Sequence, residues 1–174
     1  ETGIADGDCV LDIGANIGLF SIFVNSMVTN ARVFSFEPLP PIYAALKNNG
    51  ELYGDNIKTF NYGISSSSGE MTFSYYPHAS ILSGGYASKE EEKETVRNYI
   101  ANTEAALSAT EVEELLESRL ETEEYTCKLK TISEIVEENS IQCVDLLKID
   151  VEKSEAEILK GIRDEHWDRI KQLV

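Results

Sequence analysis

The sequence is poor in the features that mark special environments. Its three cysteines, Cys9, Cys127 and Cys143, are odd in number and show no C-x-x-C spacing. That argues against both a disulfide framework and a zinc site, and it fits a reducing, cytoplasmic compartment. No apolar run approaches the roughly 20 residues of a membrane helix, and no basic-then-apolar start resembles a signal peptide. Positive charge is scarce: 15 Lys and Arg face 31 Asp and Glu, for a net charge of −16. Such a chain repels phosphate backbones and anionic lipid at long range, so neither nucleic acid nor a membrane is an expected partner.

What is present is an ordinary globular composition, 42% hydrophobic over 174 residues, which suffices for one domain with a sizeable core. The sequence opens almost on its first strand and stops in "IKQLV", the start of another. A single domain over 1–174, excised from something longer, is the expectation.

"CVLDI" (9–13) is short, apolar and followed by glycine, as a strand buried on both faces should be. Leu19 to Val28 reads as a helix, "ARVFSFEP" as a second strand, "PPIYAALKNNGELYG" as a helix opened by Pro40 and Pro41, and "IKTFNYGI" as a third strand. Strand and helix alternating at this spacing predict an α/β fold with a doubly wound, mostly parallel sheet. The middle breaks the rhythm with a serine-rich turn, an alternating strand from Glu70 to Tyr75, a glycine-containing loop, and a charge-laden stretch over 88–126 read as a helical insertion with wet outer faces. Alternation resumes at "CVDLLKIDVEKSEAEILKGI", and "DEHWDRIKQLV" should lead into a fifth core strand.

The chemistry begins at "VLDIGANIGLF" (10–20). A strand that ends in glycines and passes into a helix can bring backbone N–H groups and a positive helix end up to a ligand. The dinucleotide fingerprint G-x-G-x-x-G is absent: Gly14 and Gly18 enclose Ala15, Asn16 and Ile17, which disfavours a pyrophosphate and with it a nicotinamide-dependent oxidoreductase. A smaller nucleoside with an amino-acid tail suits the loop better, and S-adenosylmethionine has that shape. Glu37 follows the second strand, where a carboxylate can accept from both ribose hydroxyls.

Together "VLDIGANIGLFSIF", "VFSFEPLP" and "LLKIDVEKSEAEILKGI" resemble the FkbM family of S-adenosylmethionine-dependent methyltransferases. The resemblance implies the class I, Rossmann-like methyltransferase sheet of seven strands, with the last two missing from this chain. It puts Asp12, Gly14, Asn16 and Gly18 at the methionine tail, Glu37 at the ribose with Pro38 shaping the adjacent turn, and Gly63, Ile64 and Ser65 near the adenine. Lys153-Ser154 stand where many members have Gly-Ala. That variant, with "YYPHASILSGGYA", is similar to the branch embedded in modular polyketide and nonribosomal peptide synthases. For that branch the implied substrate is a hydroxylated acyl or peptidyl chain on a carrier domain, and the implied partners are neighbouring synthase domains.

Methyl transfer from a sulfonium is an in-line displacement, so the protein mainly aligns the partners and removes the acceptor's proton. Of the two histidines, His78 in "YYPHAS" is the candidate base, with an exposed loop histidine as the plainer alternative; His166 in "DEHWDR" reads as structural or surface. Asp150, at the end of "LLKID", can orient a histidine or bind the acceptor hydroxyl, and Glu152 joins it as a candidate; Glu155 reads as helix-end stabilisation. "DVE" offers two oxygen ligands but no third, so metal use stays open. Tyr75, Tyr76 and Tyr86 could line the acceptor pocket or simply pack. A non-catalytic S-adenosylmethionine-binding or docking domain is the rival in another class.

Overall fold

A computed structural model describes residues 3–85, 93–94, 97–98 and 121–174. The chain forms two compact units: Glu1–Met71 with Cys127–Val174, and Thr72–Thr126. The expected insertion over 88–126 lies mostly outside the described residues; the second unit begins earlier, at Thr72.

The first unit is built on strands β1 (Cys9–Ile13), β2 (Arg32–Phe36) and β3 (Ile57–Phe60). Between them lie helices α1 (Leu19–Met27) and α2 (Pro40–Tyr53). Pro40 and Pro41 occupy the first turn of α2, where a missing N–H costs nothing. After the short strands β4 (Gly63–Ile64), β5 (Gly69–Tyr75) and β6 (Glu123–Lys130), helix α3 (Ile132–Glu138) precedes β7 (Leu146–Ile149). Two short helices, α4 (Glu155–Lys160) and α5 (Asp164–Trp167), follow. Thr131 and Glu134 close a reciprocal capping box on α3.

The main sheet runs β3-β2-β1-β7 with every neighbour parallel. Residues 169–174 then lie along β7: Val144 pairs with Ile170 and Leu147 with Leu173, both parallel, and the Ile149 N–H donates to the Val174 carbonyl at 2.8 Å. The expected fifth core strand is this ladder. The chain therefore leaves β1 toward β2 on one side and continues from β7 outward on the other, making the gap above β1 and β7 the point where strand order reverses. A second, smaller sheet has the order β4-β6-β5.

Strand alternation sorts the core into two faces. Cys9, Leu11, Ile13, Phe34 and Phe36 point with Ile132, Ile135, Ile158 and Ile162 into one cluster. Val10, Val33 and Leu146 point the other way, with Val24 of α1. On that second face the register brings Ser35, Asp12 and Lys148 side by side across β2, β1 and β7, so its apolar floor turns polar at the carboxyl end. At the opposite end Asp145 closes the sheet. It accepts from the Cys9 N–H at 2.8 Å and from Lys171 Nζ at 2.6 Å, and despite the upward push of its burial, Lys171 and the Cys9 amide hold its carboxyl below the usual range.

Within the second unit, the Tyr75 and Tyr125 rings meet edge-on at 6.0 Å and Ser74 bridges Gly84 antiparallel. Tyr76 is buried, so of the tyrosines considered for an acceptor pocket it packs as core. Tyr86 lies outside the described residues.

Candidate functional site

The loop after β1 is tighter than a free shelf. The Gly14 and Ala15 N–H groups both donate to the Phe36 carbonyl, Gly18 N–H donates to the Ala15 carbonyl, and Ile17 N–H to Asn16 Oδ1. Four of the five amides from Gly14 to Gly18 are thus engaged within the chain rather than facing a ligand bare. The reason is curvature: Gly14 (φ 75°), Asn16 (φ 51°) and Gly18 (φ 89°) are all left-handed, which folds the amides back onto their neighbours. The glycines likewise answer to the protein's own packing. A Cβ on Gly14 would overlap the Asp150 carbonyl oxygen, and one on Gly18 would sit 2.8 Å from Leu46 Cδ1. What the loop keeps for a ligand is its exposed Asn16 amide group and the first turn of α1, which no side chain caps.

Glu37 stands beside that loop, its backbone held by the Phe60 carbonyl and its carboxyl accepting from the Leu39 N–H at 3.0 Å. Only 6% of the residue is exposed. Burial pushes its carboxyl up to about 7, although the Leu39 and Asn16 amides act the other way. Asn61, just past β3, donates to the Glu37 and Pro38 carbonyls at 3.0 and 2.9 Å, so the turn at Pro38 is fixed from outside. In the sequence Asn61 shows itself only as an asparagine directly after a strand.

Asp12 is fully buried rather than open to the crevice. One carboxylate oxygen accepts from Ser21 Oγ at 2.6 Å, and Ser21 Oγ lies 2.7 Å from Ser35 Oγ. The other accepts from Lys148 Nζ at 3.0 Å. The same ammonium lies 3.2 Å from Asp150 Oδ2 and 5.3 Å from the centre of the Phe20 ring. In the sequence Lys148 shows itself only as the break in the otherwise apolar strand "LLKID". Asp150 is mostly exposed at the carboxyl end of β7, its N–H donating to the Ile13 carbonyl at 3.0 Å. Glu152 is exposed in the next turn, and Lys153 takes φ 63°, a left-handed conformation in which glycine is at ease.

The other candidates are placed differently. Ile64 is buried in the core, Gly63 pairs with Leu129, and Ser65 N–H donates to the Lys130 carbonyl, so this stretch is bound into the small sheet. His78 lies in the second unit, in the loop between β5 and the turn Ser80–Leu82. His166 is buried in α5, and among the described residues its Nδ1 has no hydrogen-bond partner. Among the described residues, Glu137, Glu165 and His166 are the group close enough to share a metal ion. None belongs to "DVE", and Arg163 pairs with both glutamates. A polar surface hollow lined by Ser66, Ser68, Thr131, Glu134, Lys160 and Arg163 shares no residue with the loop, and its two cations are paired with Glu157 and Glu137.

Comparison with known proteins adds the chemistry. The family model described as "Methyltransferase FkbM domain" matches residues 12–174. The chain is 38% identical, over 95% of its length, to the AMB antimetabolite synthetase AmbE of Pseudomonas aeruginosa, of which it covers 8%. It is 34% identical over 97% of its length to the 31-O-demethyl-FK506 methyltransferase FkbM of Streptomyces tacrolimicus, and 31% identical over 95% to the methyltransferase sdnD of Sordaria araneosa. It covers 64% of each of these two.

Proposed function

This chain belongs to the FkbM methyltransferase domain family, and from that premise we propose that it transfers a methyl group from S-adenosylmethionine to a hydroxyl of a polyketide or peptide intermediate. The observation that carries the cofactor reading is the buried Glu37 carboxyl beside the left-handed loop and the uncapped first turn of α1. In this reading Glu37 accepts from the ribose hydroxyls, Asn16 and the α1 N-terminus meet the methionine tail, and Gly14 and Gly18 hold the loop's shape. Asp12 acts from beneath the loop through Ser21 and Lys148. Gly63–Ser65 border the adenine through backbone and the Ser65 hydroxyl. The cofactor supplies an electrophilic methyl group whose leaving thioether needs no proton. His78 is the proposed base for the proton of the acceptor hydroxyl, and Asp150 and Glu152 are the proposed acidic groups.

A carrier-bound acceptor is the finer part of the proposal. It is supported by the relative named a synthetase, of which the matching stretch is a small fraction. A relative named for demethyl-FK506 supports an oxygen acceptor. That no helix among the described residues is long and apolar enough to cross a membrane is compatible with a cytoplasmic setting.

Calorimetry with S-adenosylhomocysteine, together with methyl transfer to hydroxylated carrier-bound acyl chains by the intact protein, tests the proposal. Binding with turnover is expected, and His78→Ala should cut the rate about 100-fold with little change in cofactor affinity. Binding without turnover on any such chain would favour a non-catalytic binding domain.

A further inference from the structure

Lys148 sits where a buried network reaches the surface. From Ser35 through Ser21 to Asp12 each group touches the next at 2.6–2.7 Å, all inside the sheet–α1 interface. Lys148 takes the free end of that network and carries it 3.2 Å further, to Asp150 Oδ2 at the carboxyl rim. The side chain of Lys148 is 14% exposed and that of Asp150 is 77% exposed. With Phe20 against it, the ammonium has little freedom. An exposed aspartate would ordinarily sample several rotamers; this one is tethered to a cation that is itself anchored from below.

Where the tether holds Asp150 follows from the backbone. Its carbonyl oxygen occupies the space a Gly14 side chain would need, and its N–H is bonded to Ile13. Asp150 thus flanks the loop given to the methionine tail, at the point where strand order reverses. The tail carries an α-ammonium, and a carboxylate fixed beside the loop is a complementary partner for it.

We infer that Lys148 is a positioning residue that pre-aims the Asp150 carboxylate at the ammonium of the donor's amino-acid tail, assigning Asp150 to donor binding rather than to the acceptor. The inference rests on the cofactor reading above. Two probes separate them: S-adenosylhomocysteine, which has the tail, and 5′-methylthioadenosine, which lacks it. In the intact protein, D150N and K148M should each weaken S-adenosylhomocysteine binding about tenfold or more and leave 5′-methylthioadenosine within about twofold. The double variant should be no weaker than D150N, because Lys148 acts through Asp150. K148M strands the buried Asp12, so D12N/K148M, which removes both charges, takes its place if K148M does not fold. Unchanged S-adenosylhomocysteine binding, equal losses for both nucleosides, or losses that multiply would overturn the inference. A wild-type protein that binds neither nucleoside would overturn the cofactor reading beneath it.

Discussion

At Glu37, burial raises the carboxyl to about 7, so the folded chain holds a proton there that the unfolded chain, at its ordinary value of 4.5, has already lost. Between those two values the native state binds more protons than the unfolded one, and stability should fall as pH rises, by up to about 1.4 kcal/mol per pH unit. Glu37→Gln should flatten that part of the pH–stability curve, measured by urea unfolding at pH 5, 6, 7 and 8. Ligand binding runs the other way, because only the carboxylate can accept from both ribose hydroxyls. S-adenosylhomocysteine should bind about tenfold more weakly at pH 6 than at pH 8, and Glu37→Ala should cost about 1.5–3 kcal/mol at pH 8. A pH-independent affinity would remove Glu37 from the ribose.

Among the elements, the loop between β1 and α1 is the most constrained, and its two glycines differ in what they protect. A methyl group on Gly14 meets backbone, the Asp150 carbonyl, and has nowhere to go. On Gly18 it meets the end of the Leu46 side chain, which can turn away. Both also lose a left-handed φ. Gly14→Ala should therefore destabilise by about 3 kcal/mol or more and Gly18→Ala by about 1–2 kcal/mol, read from denaturant midpoints. The turn into α4 offers the opposite case. Lys153 bears φ 63°, so Lys153→Gly should raise stability by about 1 kcal/mol, a thermal shift of roughly 2–4 °C. The glycine common at this position in the resembling family is explained by the same backbone angle.

For the molecule as a whole, a net charge of −16 means self-repulsion in the folded state that mobile ions relieve. The thermal midpoint should rise between about 0.02 and 0.3 M sodium chloride, and a midpoint that falls would point instead to stability dominated by ion pairs such as Lys171–Asp145 and Lys130–Glu138. The parallel sheet was legible because its strands are short apolar runs separated by helices at βαβ spacing, and both faces of such a sheet are buried. The helix Leu19–Met27 and the strand Gly69–Tyr75 fall within one residue of their expected bounds. The division at Thr72 was not legible, because nothing in "EMTFSYY" changes composition there.

By itself the sequence determined the order of strands and helices, the glycine loop and the acid after the second strand, since each follows from local periodicity or from a backbone that only certain residues tolerate. Only the tertiary structure decided which of these groups are spent. It used the loop amides on Phe36 and Ala15, turned Asp12 inward to Ser21, and laid Lys148 between Asp12 and Asp150. Those outcomes depend on lateral register between strands more than a hundred residues apart, and on burial that shifts charge and proton affinity, neither of which is written in any local stretch of the chain.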